Sequence, residues 1–249
     1  MSAAAPIALR GGLLRVAARE LGGLLRTPTG WLLAALVLAL DALQLNGVAM
    51  GTERRPSAEV LELFLLNAAF VTEGLGALLA MRLRVDEREG DGALLLSAPL
   101  NERAVVLGRW LGALGYLALV TLLTLGLPAL IFVHGKVSLG HVAAGYLGLL
   151  LVGALALSIG AAVASLARSA LAAALGTAGT LGLLELGFYV ARVTEPPWRM
   201  RLRDLAPVWG RFTSFRQGLL ELSDVVFFVS LSYLGLLLAV RLLARRRDG

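Results

Sequence analysis

Apolar residues fill long, unbroken stretches of this chain, and charged residues gather in the short intervals between them. Six stretches reach the roughly 20 residues a helix needs to cross the hydrocarbon layer of a bilayer. They are Trp31–Met50, Phe64–Met81, Val105–Val133, His141–Ala167, Ala170–Ala191 and Val225–Leu243. The third is long, and Pro128 near its outer end predicts a kink rather than a second helix. The fifth is rich in Ala and Gly, residues that let helix backbones approach closely in lipid. Gly108 and Gly112 fit a small-xxx-small spacing, a match that arises easily in a chain with 29 glycines; Gly176 and Gly179 do not fit it.

The intervals carry their own patterns. From Ile7 to Thr27, apolar residues alternate with Arg10, Arg15, Arg19, Glu20 and Arg26, which predicts an amphipathic helix lying in the membrane interface and ended by Pro28. Arg192 to Ser223 is the longest non-spanning stretch, with Pro196, Pro197, Pro207, two Trp and several apolar residues. Part of it, near Phe212 to Leu222, has the composition of a short re-entrant or interfacial helix. The expected fold class is therefore all-α and integral to the membrane, with residues 1–249 forming one transmembrane domain of six spanning helices.

The most distinctive interval is the island from Met81 to Leu100. Arg82, Arg84, Asp86, Glu87, Arg88, Glu89 and Asp91 crowd one end and Leu94, Leu95 and Leu96 the other, with Gly90 and Gly92 between them. Pro99 then breaks the chain and Asn101 suits the N-cap of the next helix. Two readings stand. The island is a solvated loop, or it is a short interfacial helix that lays its leucines on the bilayer and offers its charges to a cytoplasmic partner.

Composition narrows the classes. The chain is 58% hydrophobic with a mean hydropathy of +0.80, and only 16% of its residues are charged, against about 25% in soluble domains. The net charge is +6, and Lys136 is the only lysine among 23 basic residues. The arginines flank apolar segments instead of forming a stripe with aromatics, so anionic lipid head groups explain them better than nucleic acid does. With both termini inside, fourteen of the 23 basic residues fall in the cytoplasm, the arrangement the positive-inside rule favours. Six of the rest lie in the one long outer interval. Residues 1–30 lack the apolar core and cleavage site of a signal peptide. No Cys is present, so disulfides and thiolate metal sites are excluded.

No catalytic signature appears. The P-loop G-x-x-x-x-G-K-[ST] is missing, since Val137 follows the only lysine, and neither H-E-x-x-H nor G-x-S-x-G occurs. His134 and His141 flank one short outer interval, and two ligands fall short of the three or four a metal site needs. Asp41, Glu73 and Glu185 lie inside apolar spans, where a mid-span Asp costs on the order of 3 kcal/mol on insertion scales. They read either as a polar or proton-linked pathway or as groups paired with Arg, Ser, Thr or amides across helices, Gln44 and Asn46 being close to Asp41 in sequence.

Resemblance adds a family. Met81-Arg82-Leu83-x-x-Asp86-Glu87-Arg88-x-Gly90, followed by Leu94-Leu95-Leu96-Ser97-x-Pro99, resembles the cytoplasmic coupling segment of ABC-2 type permeases, whose usual form is M-R-x-x-x-E-E-[KR]-x-G-T-x-E-L-L-L-[ST]-x-P. Glu20-Leu21 through Arg26-Thr27-Pro28 resembles the family's E-L-x-x-x-x-x-[ST]-P approach to the first span. Arg211-Phe212-x-x-Phe215-x-x-Gly218-Leu219 through Asp224-Val225-Val226-Phe227-Phe228 resembles the run before the last span in gliding-motility-type and nitrous-oxide-reductase-associated permeases. These anchors fall in order across essentially the whole chain.

The resemblance implies the membrane subunit of an ABC transporter, an exporter of the inner membrane with no catalytic residue or cofactor of its own. ATP and Mg would be held by two separate ATPase subunits. A second copy or a homologue, lipids and an extracytoplasmic accessory protein complete the implied partners. Residues 82–104 would form the coupling segment, with Arg84, Glu87, Arg88, Glu89, Leu94 and Leu95 carrying the ATPase contact. The alternative is an ATPase-driven scaffold or force transmitter that moves no cargo. One departure matters: Asp91-Gly92-Ala93 stands where the family has T-x-E, which places a Gly in the coupling helix at a cost of about 1 kcal/mol.

Overall fold

The computed structural model describes residues 4–49, 55–84, 102–193 and 207–248. Among them the chain is helical and holds no strand. Its elements are α1 (Ala4–Arg26), α2 (Pro28–Ala49), α3 (Ser57–Leu83), α4 (Glu102–Leu123), α5 (Gly126–His134), α6 (Leu139–Leu166), α7 (Ala170–Val193), α8 (Pro207–Arg216) and α9 (Leu222–Asp248). α2, α3, α4 with α5 as one run, α6 and α9 are long and apolar enough to cross a membrane; α7 adds a shorter apolar run, Ala170–Leu186. Leu32, Leu43, Leu183 and Leu222 are each about two-thirds or more exposed. An exterior this apolar is matched to hydrocarbon rather than to water, and the chain has the build of a helical membrane protein.

α6 sits at the centre, packed against α3, α9, α7, α4 and α8. Backbones approach closely there: a Cβ built at Gly76 of α3 would lie 2.8 Å from the Cβ of Ala156 in α6. The buried side chains form two clusters. One, around Leu24, Leu79, Tyr116, Leu117 and Ala239, lies at the end where the charged island begins. The other, around Phe64, Leu65, Tyr146, Phe212 and Phe228, lies at the far end.

Several boundaries differ from those the sequence predicts, each for a physical reason. α3 starts at Ser57 rather than Phe64. Glu59 and Glu62 make its first turns look unsuited to lipid, yet Val60, Leu61, Phe64 and Leu65 form a buried stripe while Glu59 points outward to Arg55, 3.3 Å away. The third span breaks at Thr124–Leu125 and not at Pro128. Proline blocks the carbonyl four residues before it, and that carbonyl belongs to Thr124. The short helix expected near Phe212–Leu222 spans Pro207–Arg216 instead. It stops because Gly218 turns the chain with φ +77°, a conformation that glycine adopts without strain. α6 begins where Ser138 caps it, its Oγ accepting from the His141 backbone N–H at 3.1 Å.

α1 and α2 join with a single residue, Thr27, between them. Thr27 Oγ1 donates to the Gly23 carbonyl at 2.9 Å, and Trp31 Nε1 donates to the Leu25 carbonyl at 2.8 Å. The Tyr116 hydroxyl donates to the Gly30 carbonyl. Gly30 lies against the Leu24 carbonyl so closely that a side chain would collide with it.

Candidate functional site

The root of the charged island is built by three helices. α3 ends at Leu83, and the last carbonyls of any helix lack intrahelical donors. Here the Arg109 guanidinium of α4 supplies them: Nη1 donates to the Arg82 carbonyl at 3.3 Å and to the Arg84 carbonyl. A cation at a helix C-terminus also complements the negative end of its dipole. From the other side, Glu20 Oε1 of α1 accepts from Arg82 Nε at 2.8 Å. The Glu20 side chain is mostly buried and that of Arg82 about two-fifths exposed, so this pair is screened less than a surface ion pair.

α1 reaches this position because α4 presents a smooth groove. A Cβ at Gly108 would lie 2.7 Å from the Cβ of Val16, and one at Gly112 would lie 2.6 Å from the Cβ of Glu20 and 2.7 Å from the Ala17 carbonyl. The Gly108–Gly112 spacing is thus used to seat α1, whose Val16 and Leu24 are buried. Removing the Arg109 cap should loosen the root while sparing the bundle. Arg109→Ala is expected to cost about 1–2 kcal/mol and to speed backbone hydrogen exchange in the last turn of α3, with unchanged exchange in α6. Equal acceleration in both helices would refute the local role.

Of the residues expected to carry the ATPase contact, the structure places Arg84, half-buried at the root with its carbonyl held by Arg109. Glu87, Arg88, Glu89, Leu94 and Leu95 lie outside the described residues. Sequence reading did not single out Glu20 or Arg109 as site residues. The signal for both was present, in the Glu20-Leu21 match and in the two glycines flanking Arg109.

The acids expected inside the apolar spans lie on three different helices, α2, α3 and α7. Asp41 and Glu73 are buried, at 3% and 6% exposure, and Glu185 is half-buried. Glu73 of α3 and Glu185 of α7 sit on helices that pack together and lie within electrostatic reach of one another. Glu73 Oε2 has no protein partner. Asp41 lies within electrostatic reach of the Tyr146 hydroxyl of α6, which hydrogen-bonds Thr124 Oγ1 at 3.1 Å. Gln44 joins Asp41 one turn along α2, with Oε1 buried and unpartnered, whereas Asn46 is exposed.

At the far end, α8 buries Val208, Trp209, Phe212 and Phe215. Trp209 stacks on Phe70 with ring centroids 4.4 Å apart, and Arg211 Nη1 donates to Asp224 Oδ1 at 2.8 Å. His141 Nε2 pairs with the Arg216 carbonyl at 2.6 Å. A carbonyl only accepts, so that nitrogen carries its hydrogen and the ring docks α8. Among the described residues no group of three or more His, Cys, Asp or Glu is placed to hold a metal ion. Finally, an apolar groove of about 510 Å³ runs between α2, α3 and α7, lined by Leu36, Leu40, Phe70, Leu78, Leu175 and Ala178 among others.

No protein-family model matches the chain, and no curated protein matches it.

Proposed function

We propose that this chain is the membrane-spanning subunit of an ATP-driven assembly of the ABC-2 permease type. In this reading two separate ATPase subunits, which hold ATP and Mg, act on the segment from Arg84 to Leu96, and a second copy or a homologue completes the membrane part. The observation that carries it is the anchored root of the island. A segment that receives a push transmits it only if its base is fixed to elements that move as one. Arg82 and Arg84 are tied to α1 through Glu20 and to α4 through Arg109, so three helices share any load applied there.

The sequence resemblance supplies the kind of partner, and the distribution of arginine supplies the side. Both termini and the island face the cytoplasm in this reading, with the exposed Arg15, Arg19 and Arg26 of α1 against anionic head groups. A second reading, a force-transmitting scaffold without cargo, draws on the stiff far end, where aromatic stacking and the Arg211–Asp224 pair lock α8 to its neighbours.

The test is reconstitution with an ABC ATPase partner. Glu87→Arg is expected to weaken retention of the ATPase, and its hydrolysis in the complex, about tenfold, equivalent to roughly 1.4 kcal/mol. If the chain retains no ATPase, or if Glu87→Arg leaves retention and hydrolysis untouched, the reading fails. Hydrolysis stimulated by a lipid, glycan or peptide in liposomes would favour transport over the scaffold.

A further inference from the structure

The break in the third apolar run falls between two helices that α2 packs against, and α2 buries the carboxyl of Asp41. Between α4 and α5 the backbone ladder is diverted: the Leu125 N–H goes to the Leu122 carbonyl at 3.1 Å and the Leu127 N–H to the Thr124 carbonyl at 2.9 Å. Thr121 and Leu123 thereby lose the donors that a continuous helix would give their carbonyls. Thr124 Oγ1 donates its only proton to the Thr121 carbonyl at 2.8 Å. It must therefore accept in its 3.1 Å contact with Tyr146, whose hydroxyl is the donor. With that proton spent, the Tyr146 oxygen has only lone pairs left to offer.

Asp41 lies within electrostatic reach of this hydroxyl, is buried to 3% exposure, and leaves Oδ1 without a protein partner. Gln44 Oε1, one turn along the same face of α2, is also buried and unpartnered. This part of the bundle thus carries the buried Asp41 carboxyl, the Gln44 amide oxygen and a phenolic oxygen with its proton spent, next to the break in the ladder at Thr124. Each of these three oxygens can accept. A proton bridges two oxygens, whereas a hard cation gathers several. One buried carboxylate balances one positive charge, and a divalent ion would leave an excess charge in the apolar interior.

We propose that Asp41, Gln44, Tyr146 and the helix break at Thr124 bind a dehydrated monovalent alkali cation of the sodium class. Discontinuous helices with freed carbonyls are the form such sites take within membranes. The site lies in the bundle interior, away from the island, and does not depend on the identity of the ATPase partner.

Thermal unfolding of the full chain in detergent micelles tests this, at mildly alkaline pH and constant ionic strength. NaCl, LiCl and KCl are each compared with N-methyl-D-glucamine chloride. Na⁺ is expected to raise Tm saturably, by about 4 °C at a tenfold excess over Kd, and Asp41→Asn to abolish the rise. Tyr146→Phe keeps the ring and removes one oxygen, so it should fold and weaken the apparent Na⁺ affinity about tenfold. It decides the matter if Asp41→Asn does not fold. The same Tm in all four salts, the behaviour of a site holding only water or a proton, overturns the proposal. A Na⁺-dependent rise undiminished by either substitution overturns it as well.

Discussion

Gly112→Leu is expected to detach α1 from the bundle. The new Cβ would meet the Glu20 Cβ at 2.6 Å and the Ala17 carbonyl at 2.7 Å, both on α1. Neither is the end of a flexible side chain, so the helices must separate instead of a rotamer giving way. Overpacking of this kind costs about 3 kcal/mol at the upper end of its usual range. It also takes Glu20 away from Arg82. Limited trypsin digestion should show cleavage after Arg15 and Arg19 accelerated about tenfold or more, since proteolysis follows the population of the open form. Gly22→Leu, on a part of α1 where a Cβ meets nothing within 4 Å, is the control and should leave cleavage slow. Equal cleavage in the two variants would mean that α1 is not seated on α4.

The second large effect is expected at the far end. Arg211→Met keeps most of the stem but deletes the charge that Asp224 faces at 2.8 Å, where the Asp224 side chain is only 5% exposed. Removing one partner of a buried pair leaves an uncompensated charge, at a cost of 3–5 kcal/mol. The figure here is about 3 kcal/mol. Arg211 is partly exposed, and Asp224 sits in the first turn of α9, where the helix dipole gives the carboxylate some support. The expected fall in Tm is about 6–12 °C for a chain of this size. Adding Asp224→Asn should recover more than half of it. A double variant no more stable than Arg211→Met would show that the lost cation–π contact with Phe227, 4.7 Å from the guanidinium, is the main term.

The apolar runs were readable because a stretch of about twenty mostly apolar residues leaves few alternatives to a membrane helix. Five of the predicted stretches lie on runs long enough to cross, the third stretch being divided between α4 and α5, and Ala170–Ala191 lies on the shorter apolar run of α7. Ends were harder, since they depend on which face is buried. Glu59 and Glu62 look prohibitive in a one-dimensional profile and harmless on a helix whose other face carries Val60, Leu61 and Phe64. The start of α8 was missed because Gly210 and Arg211 dilute the apolar signal of Val208 and Trp209, and stacking on Phe70 was not readable locally. Pro128 announced a break, but its steric effect falls one turn earlier, at Thr124.

Site pairings were the least legible. Glu20 and Arg82 are 62 positions apart, and Glu73 lies within electrostatic reach of Glu185 on another helix. No spacing rule connects such pairs; only packing does. Gly108–Gly112 was visible as a pattern, and what it lacked was the identity of the helix it receives.

The single-residue joint at Thr27 makes α1 and α2 a bent lever with no slack. Its short arm is the part of α1 from Thr27 back to Glu20, which is held to the island's root through Arg82. Its long arm is α2, which carries Asp41 eleven residues beyond Gly30, about 16 Å along the axis at the helical rise. Tyr116, bonded to the Gly30 carbonyl, stands at the bend as a fulcrum. A tilt of about 5° at the short arm moves Asp41 by roughly 1.4 Å at that radius, enough to change which oxygens surround it. The root of the island and Asp41 thus lie on two helices joined without a loop, and a tilt of one would be carried to the other through Thr27.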